Sequence, residues 1–120
     1  MKILIVDDSP ITRSMLRDMF EIAGHEIAAE AETLAGAVES YRAHKPDLTT
    51  LDLSLVGTNG LEILKALREL DPRARVMIVS GNAQKRVLEA ARAAGAEGFL
   101  PKPFNVDELT AALKAMGPPA

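Results

Sequence analysis

Five times along this chain a short apolar run gives way to a segment with helical spacing of its apolar residues. The runs are 2–6, 26–31, 48–52, 75–80 and 97–100. Strands that alternate with helices over short connections build right-handed βαβ units, and hence a parallel sheet with helices on both faces. The punctuation agrees. Ser9 is placed to cap a first helix with Pro10 at its first position, where a missing N–H is harmless. Ile11, Met15, Met19 and Ile22 are spaced as its apolar stripe, and Gly24 ends it. The half-polar run 26–31 reads as an edge strand. Thr33 caps a helix carrying Leu34, Val38 and Tyr41, and Pro46 stops it. The third helix carries Leu61, Leu64 and Leu67 and ends before Pro72. The fourth carries Val87, Ala90, Ala91 and Ala94 and is closed by Gly95. Asn105 with Glu108 forms a capping box for the last helix, lined by Val106, Leu109, Leu113 and Met116.

The composition narrows the function classes. The 120 residues suit one domain that buries roughly two-thirds of its unfolded surface. A net charge of −3 and 3% aromatic residues argue against direct nucleic-acid binding and against an anionic membrane surface. Without cysteine there is no disulfide, thiolate metal site or redox pair. No apolar run approaches the ~20 residues that span a bilayer, and the first strand begins too early for a signal peptide, so a cytoplasmic location is expected.

Chemistry concentrates where the runs end. Asp7-Asp8 follows the first, Asp52 the third, Ser80 the fourth and Pro101-Lys102-Pro103 the fifth. In a parallel sheet these carboxyl ends share one edge, where open α/β sheets bind ligands. Three carboxylates there suit a hard cation such as Mg²⁺, which takes oxygen ligands and keeps several waters. Asp52 could be a metal ligand, a general base or a nucleophile that attacks phosphorus to give an acyl phosphate. Ser80 could donate to a phosphoryl oxygen, and Lys102 could pair with a carboxylate or a phosphoryl group. The flanking prolines stiffen the lysine's segment and allow a cis Lys102–Pro103 bond. Each residue alone has a plainer explanation as a turn former, a loop acid or a surface lysine. The register of all five outweighs it. His25 and His44 lack partners at metal-ligand spacing and read as surface residues. No GxGxxG or GxxxxGK[ST] motif supports a nucleotide-cradling loop.

Taken together, Ile3-Leu4-Ile5-Val6-Asp7-Asp8, Pro46-Asp47-Leu48-Thr49-Thr50-Leu51-Asp52-Leu53, Asn59-Gly60-Leu61-Glu62, Val79-Ser80-Gly81 and Gly95-Ala96-Glu97-Gly98-Phe99-Leu100-Pro101-Lys102-Pro103-Phe104 resemble the CheY-like receiver domain of two-component response regulators. The resemblance implies a doubly wound, flavodoxin-like α/β fold: a five-stranded parallel sheet in order 2-1-3-4-5 with five helices. It implies a receiver domain over 1–116, with 117–120 a tail or the start of a linker. It assigns Asp52 as phosphoacceptor, served by a histidine kinase or a histidine phosphotransfer protein. Asp8 becomes the direct Mg²⁺ ligand, Asp7 acts largely through water, and the Ser54 carbonyl is a further ligand. Ser80 and Lys102 hold the phosphoryl group, and Phe99 is the aromatic switch that turns inward as Ser80 moves. Ser54 and Asn82 flank the path of the hydrolytic water and tune phosphate lifetime. The surface of helix 4, strand 5 and helix 5, with Gln84, Lys85, Glu89 and Arg92 exposed, would signal to an output protein or domain and could support a phosphorylation-dependent homodimer.

The chain departs from the family pattern at Val56, where Pro is usual, and at Gly81, where Ala is frequent. Thr49-Thr50 is a third oddity, because a central parallel strand should be almost wholly apolar. Two other functions fit parts of the pattern. A small aspartyl-phosphate phosphotransferase or phosphatase would need a cap, for which little chain remains. A phosphorylation-independent interaction module would have no use for the intact set of five polar residues.

Overall fold

The structure, a computed structural model, describes residues 1–54, 60–81 and 84–117. Its elements run β1 (Lys2–Val6), α1 (Pro10–Ile22), β2 (Glu26–Ala31), α2 (Leu34–His44), β3 (Leu48–Leu51), α3 (Gly60–Leu70), β4 (Val76–Ser80), α4 (Lys85–Ala93), β5 (Gly98–Pro101) and α5 (Val106–Met116). The strands are all parallel in order β2-β1-β3-β4-β5, with β2 at an edge. The expected caps form: Ser9 Oγ accepts from Thr12 N, Thr33 Oγ1 from Gly36 N, and Asn105 and Glu108 complete a capping box. Gly24 and Gly95 take the left-handed conformation that lets the chain leave α1 and α4, with φ +90° and +108°.

Alternation along the strands divides the core in two. Leu4, Val6, Leu51, Val76 and Ile78 face α2, α3 and α4, where they meet Ala37, Tyr41, Ile63, Leu64, Leu67 and Ala91. Ile3, Ile5, Leu48, Met77 and Val79 face α1 and α5, where they meet Leu16, Phe20 and Leu109. Each fully buried aliphatic side chain contributes about 1.5–3 kcal/mol, so the two layers together clamp the strand ends that carry the polar residues.

Three expectations need correction. The first helix does not bury the stripe of Ile11, Met15 and Ile22: Ile11 and Ile22 are 74% and 75% exposed. Leu16 and Phe20 are buried instead, and Met19 lies partly buried beside them. At 100° per residue the two rows lie roughly a third of a turn apart and Met19 falls between them. Apolar spacing could not choose, because α1 is apolar on both sides. In α4, Ala91 is buried while Ala90 is exposed. His25 is half-buried, its ring edge-on to Phe20 at 6.0 Å between centroids and its Nδ1 3.1 Å from the terminal amine.

Thr49 and Thr50 are fully buried in β3 on opposite faces, and neither hydroxyl has a hydrogen-bond partner. Their strand neighbours are apolar: Leu4 and Val76 flank Thr49, Ile5 and Met77 flank Thr50. A buried hydroxyl without a partner costs about 1–3 kcal/mol. Thr49→Val and Thr50→Val keep the branched shape and remove the orphan. Each should raise stability by about 1 kcal/mol, read as a higher urea midpoint at unchanged slope. A lower midpoint in both variants would refute this account.

Candidate functional site: an acidic pocket at the carboxyl edge

Register brings the carboxylates together. Val6 of β1 pairs with Leu51 of β3, so the next residues, Asp7 and Asp52, leave the sheet side by side. Asp52 N still donates to Val6 O at 3.1 Å, and Asp7 N to Ala31 O at 3.0 Å. One carboxylate oxygen from each of Asp7, Asp8 and Asp52 lies within 4.8 Å of the others. Asp7 and Asp52 are buried, at 1% and 6% exposure, and Asp8 is partly exposed.

Lys102 closes the group. Its Nζ donates to Asp7 Oδ2 at 3.0 Å and to Asp52 Oδ2 at 2.9 Å. The Lys102–Pro103 peptide is cis, and Lys102 N donates to Ser80 O at 3.0 Å, joining the two segments that carry the lysine and the serine. The other carboxylate oxygens are held by backbone: Ser9 N donates to Asp7 Oδ1 at 2.9 Å and Ser54 N to Asp52 Oδ1 at 2.8 Å. Ser80 Oγ lies buried at the end of β4, 3.5 Å from Ser54 Oγ. All five residues singled out at the strand ends therefore meet in one pocket, with Ser54 at its rim. Asn82 lies outside the described residues, as do Val56, Gly57 and Asn59 of the loop after Asp52.

The donor set fits a hard divalent cation. Three carboxylates against one ammonium leave two negative charges among these four groups, and every carboxylate donor is oxygen. Gly60 allows the pocket floor to form. A Cβ there would come within 2.6 Å of Leu53 Cα and 2.7 Å of Asp52 O, so only glycine lets the start of α3 press against the residues after β3. Gly81 carries no such demand, since a Cβ there would meet nothing within 4 Å.

Two residues at the site were not singled out as structural partners by sequence reasoning. Arg13 donates through Nη1 to Asp7 O at 2.7 Å. Arg92 of α4 lies over the half-buried ring of Phe99, 5.2 Å from its centroid. The partners are only six and seven residues apart, but each pair crosses the connection between consecutive elements, where helical or strand spacing no longer sets the distance. Gln84, Lys85, Glu89 and Arg92 are exposed as expected.

A doubly wound parallel domain with an acidic, lysine-closed pocket at its carboxyl edge defines the phosphoryl-accepting class of signalling domain. The chain belongs to the response regulator receiver domain family, whose description it matches over residues 3–114. It is 39% identical to the chemotaxis protein CheY of Bacillus subtilis (strain 168) over 93% of both chains. It is 34% identical to sporulation initiation phosphotransferase F of the same organism, over 94% of this chain and 90% of that one. Among solved structures it is similar to the CheX–CheY–BeF₃–Mg²⁺ complex from Borrelia burgdorferi, with TM-score 0.89 and 29% identity over 92% of this chain and 84% of that one. Chemotaxis protein CheY4 of Vibrio cholerae also gives 0.89, at 26% identity over 96% and 97% of the two chains. Among the described residues no helix is long and apolar enough to cross a membrane.

The ion pairs set a pH dependence. Burial lowers the Lys102 pKa, but the hydrogen bonds and charges of Asp52 and Asp7 outweigh it and hold the ammonium above its ordinary value. A folded lysine with a raised pKa contributes its full stability below the unfolded value of about 10.4 and loses it as pH rises through the folded value. Burial and a hydrogen bond to Asp71 raise the Tyr41 phenol in the same direction, so it adds a second alkaline loss. Stability should decline above about pH 10.4, and Lys102→Met should start lower and decline less, leaving the part due to Tyr41. Urea titrations across this range test it; parallel declines in the two proteins would remove Lys102 as the cause.

Proposed function

We propose that Asp52 is the phosphoacceptor of a Mg²⁺-dependent response regulator, taking its phosphoryl group from a histidine kinase or a histidine phosphotransfer protein. The observation that carries this reading is the bidirectional hold of Lys102 on Asp7 and Asp52 beside the buried Ser80 hydroxyl. A carboxylate oxygen of Asp52 forms the new O–P bond, the P–N bond of the phosphohistidine breaks, and the leaving imidazole keeps the electron pair and takes up a proton. Mg²⁺, when bound, neutralises charge on the transferring oxygens. Asp8 is read as its direct ligand and the Ser54 carbonyl as another. Both Asp7 oxygens already accept from Ser9 N and Lys102, which suits a role through water.

After transfer the phosphoryl oxygens offer Lys102 and Ser80 new acceptors. Phosphorylation adds about −1.5 to −2 charges, and the group can shift the protein only through contacts that differ between its two states. Ser80 moves toward it and Phe99 turns into the space vacated, altering the α4–β5–α5 surface read by an output partner. The exposed row of Ile11, Met15 and Ile22 on α1, a helix that starts two residues after Asp8, supports docking of a partner protein beside the pocket. On this reading the chemistry is confined to the domain's own modification.

Intact mass after incubation with acetyl phosphate tests the central step. The parent should gain a single phosphate only with Mg²⁺, and Asp52→Ala should gain none. An adduct of equal yield in Asp52→Ala would place the acceptor elsewhere. For Ser54 and Asn82 the expected effect is on lifetime. Asn82→Ala should reach the parent's yield yet lose its phosphate at a different rate, and equal half-lives would count against that role.

A further inference from the structure

We infer that Arg13 is a positioning residue for the divalent cation: it fixes the Asp7–Asp8 peptide without contributing its charge to the pocket. The inference rests on the proposed reading of the pocket as a Mg²⁺ site and deepens it.

The Arg13 side chain is only 14% exposed, and all three nitrogens of its guanidinium have partners. Nη1 donates to Asp7 O at 2.7 Å. Nε donates to Glu30 Oε1 at 3.1 Å, and Nη2 lies 3.2 Å from Glu32 Oε1. Glu30 ends near the top of β2 and Glu32 follows that strand, so Arg13 ties the acidic turn to the sheet edge. Arg17 also pairs with Glu30 and strengthens the anchor.

The carbonyl of Asp7 belongs to the peptide that leads into Asp8. Holding that oxygen fixes the peptide plane, because peptide units are rigid, and so fixes where the Asp8 side chain departs. With Asp7 N on Ala31 O and both Asp7 carboxylate oxygens also bonded, each polar atom of Asp7 is held. Asp8 thereby gains a defined direction although it lies in a short connection between β1 and α1.

The charge arrangement separates positioning from electrostatics. A bare guanidinium next to a cation site would repel the ion. Here Glu30 accepts from it, Glu32 pairs with it and Arg17 shares Glu30, so the four side chains carry no net charge and do not oppose a cation. Lysine could not replace it, because an ammonium has no planar fork to reach three separate oxygens.

The competing roles predict different signs. If Arg13 acts mainly as a positive charge, Arg13→Gln should bind Mg²⁺ more tightly. If it only stabilises the fold, Mg²⁺ affinity should not change. If it positions Asp8, affinity should fall about tenfold, the range seen when groups supporting metal ligands are removed, and Arg13→Lys should fail to restore it. Affinity can be read from the shift of the urea midpoint with Mg²⁺ concentration, which serves for a destabilised variant as well. A parent that binds with both variants about tenfold weaker supports the inference. A parent that binds with either variant equal or tighter overturns it and leaves the proposed function standing. A parent whose midpoint ignores Mg²⁺ overturns the metal-site reading and the inference together.

Discussion

Two buried carboxylates, Asp7 and Asp52, are held beside each other by one ammonium, and the pocket depends on that balance. Burial penalises each charge, and their mutual repulsion adds to the penalty. Lys102 offsets both at 3.0 and 2.9 Å, while the amides of Ser9 and Ser54 hold the remaining oxygens. The arrangement leaves a negative excess at the mouth, next to Asp8. Under the proposed reading, that excess favours a divalent cation and lets it neutralise the path of a phosphoryl donor to Asp52.

The sheet supplies the positions. Parallel neighbours β1 and β3 end in the same register, so two residues 45 positions apart in the chain become adjacent. The close approach at Gly60 and the bond from Lys102 N to Ser80 O bring α3, β4 and β5 onto the same centre. The fold accepts local costs to do so, most plainly the unpartnered hydroxyls of Thr49 and Thr50 in the strand that carries Asp52. The structure offers no functional account of that pair.

Magnitudes indicate how a phosphoryl group could govern the distal face under the proposed reading. Arg92 over Phe99 is an exposed cation–π contact of about 0.5–1 kcal/mol, favouring the ring's present position. A hydrogen bond to a charged group contributes about 1.5–3 kcal/mol. Lys102 would only exchange acceptors, since it already bonds Asp7 and Asp52, but a bond from Ser80 to a phosphoryl oxygen would exceed the hold of Arg92, and the ring can follow.

The alternation of runs and helices, the caps at Ser9, Thr33 and Asn105, the edge placement of β2 and the five polar residues at strand ends could all be read from residue order. Each depends on neighbours within a few positions, or on the rule that parallel strands share a carboxyl edge. Packing decided the rest. The rotation of α1 was ambiguous because apolar residues occupy two sides, and contact of Leu16 and Phe20 with the sheet settled it. The Arg13 bond to the Asp7 carbonyl, the steric demand at Gly60 and the cover of Arg92 on Phe99 join residues only six to eight positions apart, but each crosses the connection between two consecutive elements. Local periodicity carries no distance between such elements, so only the closed tertiary structure specifies them.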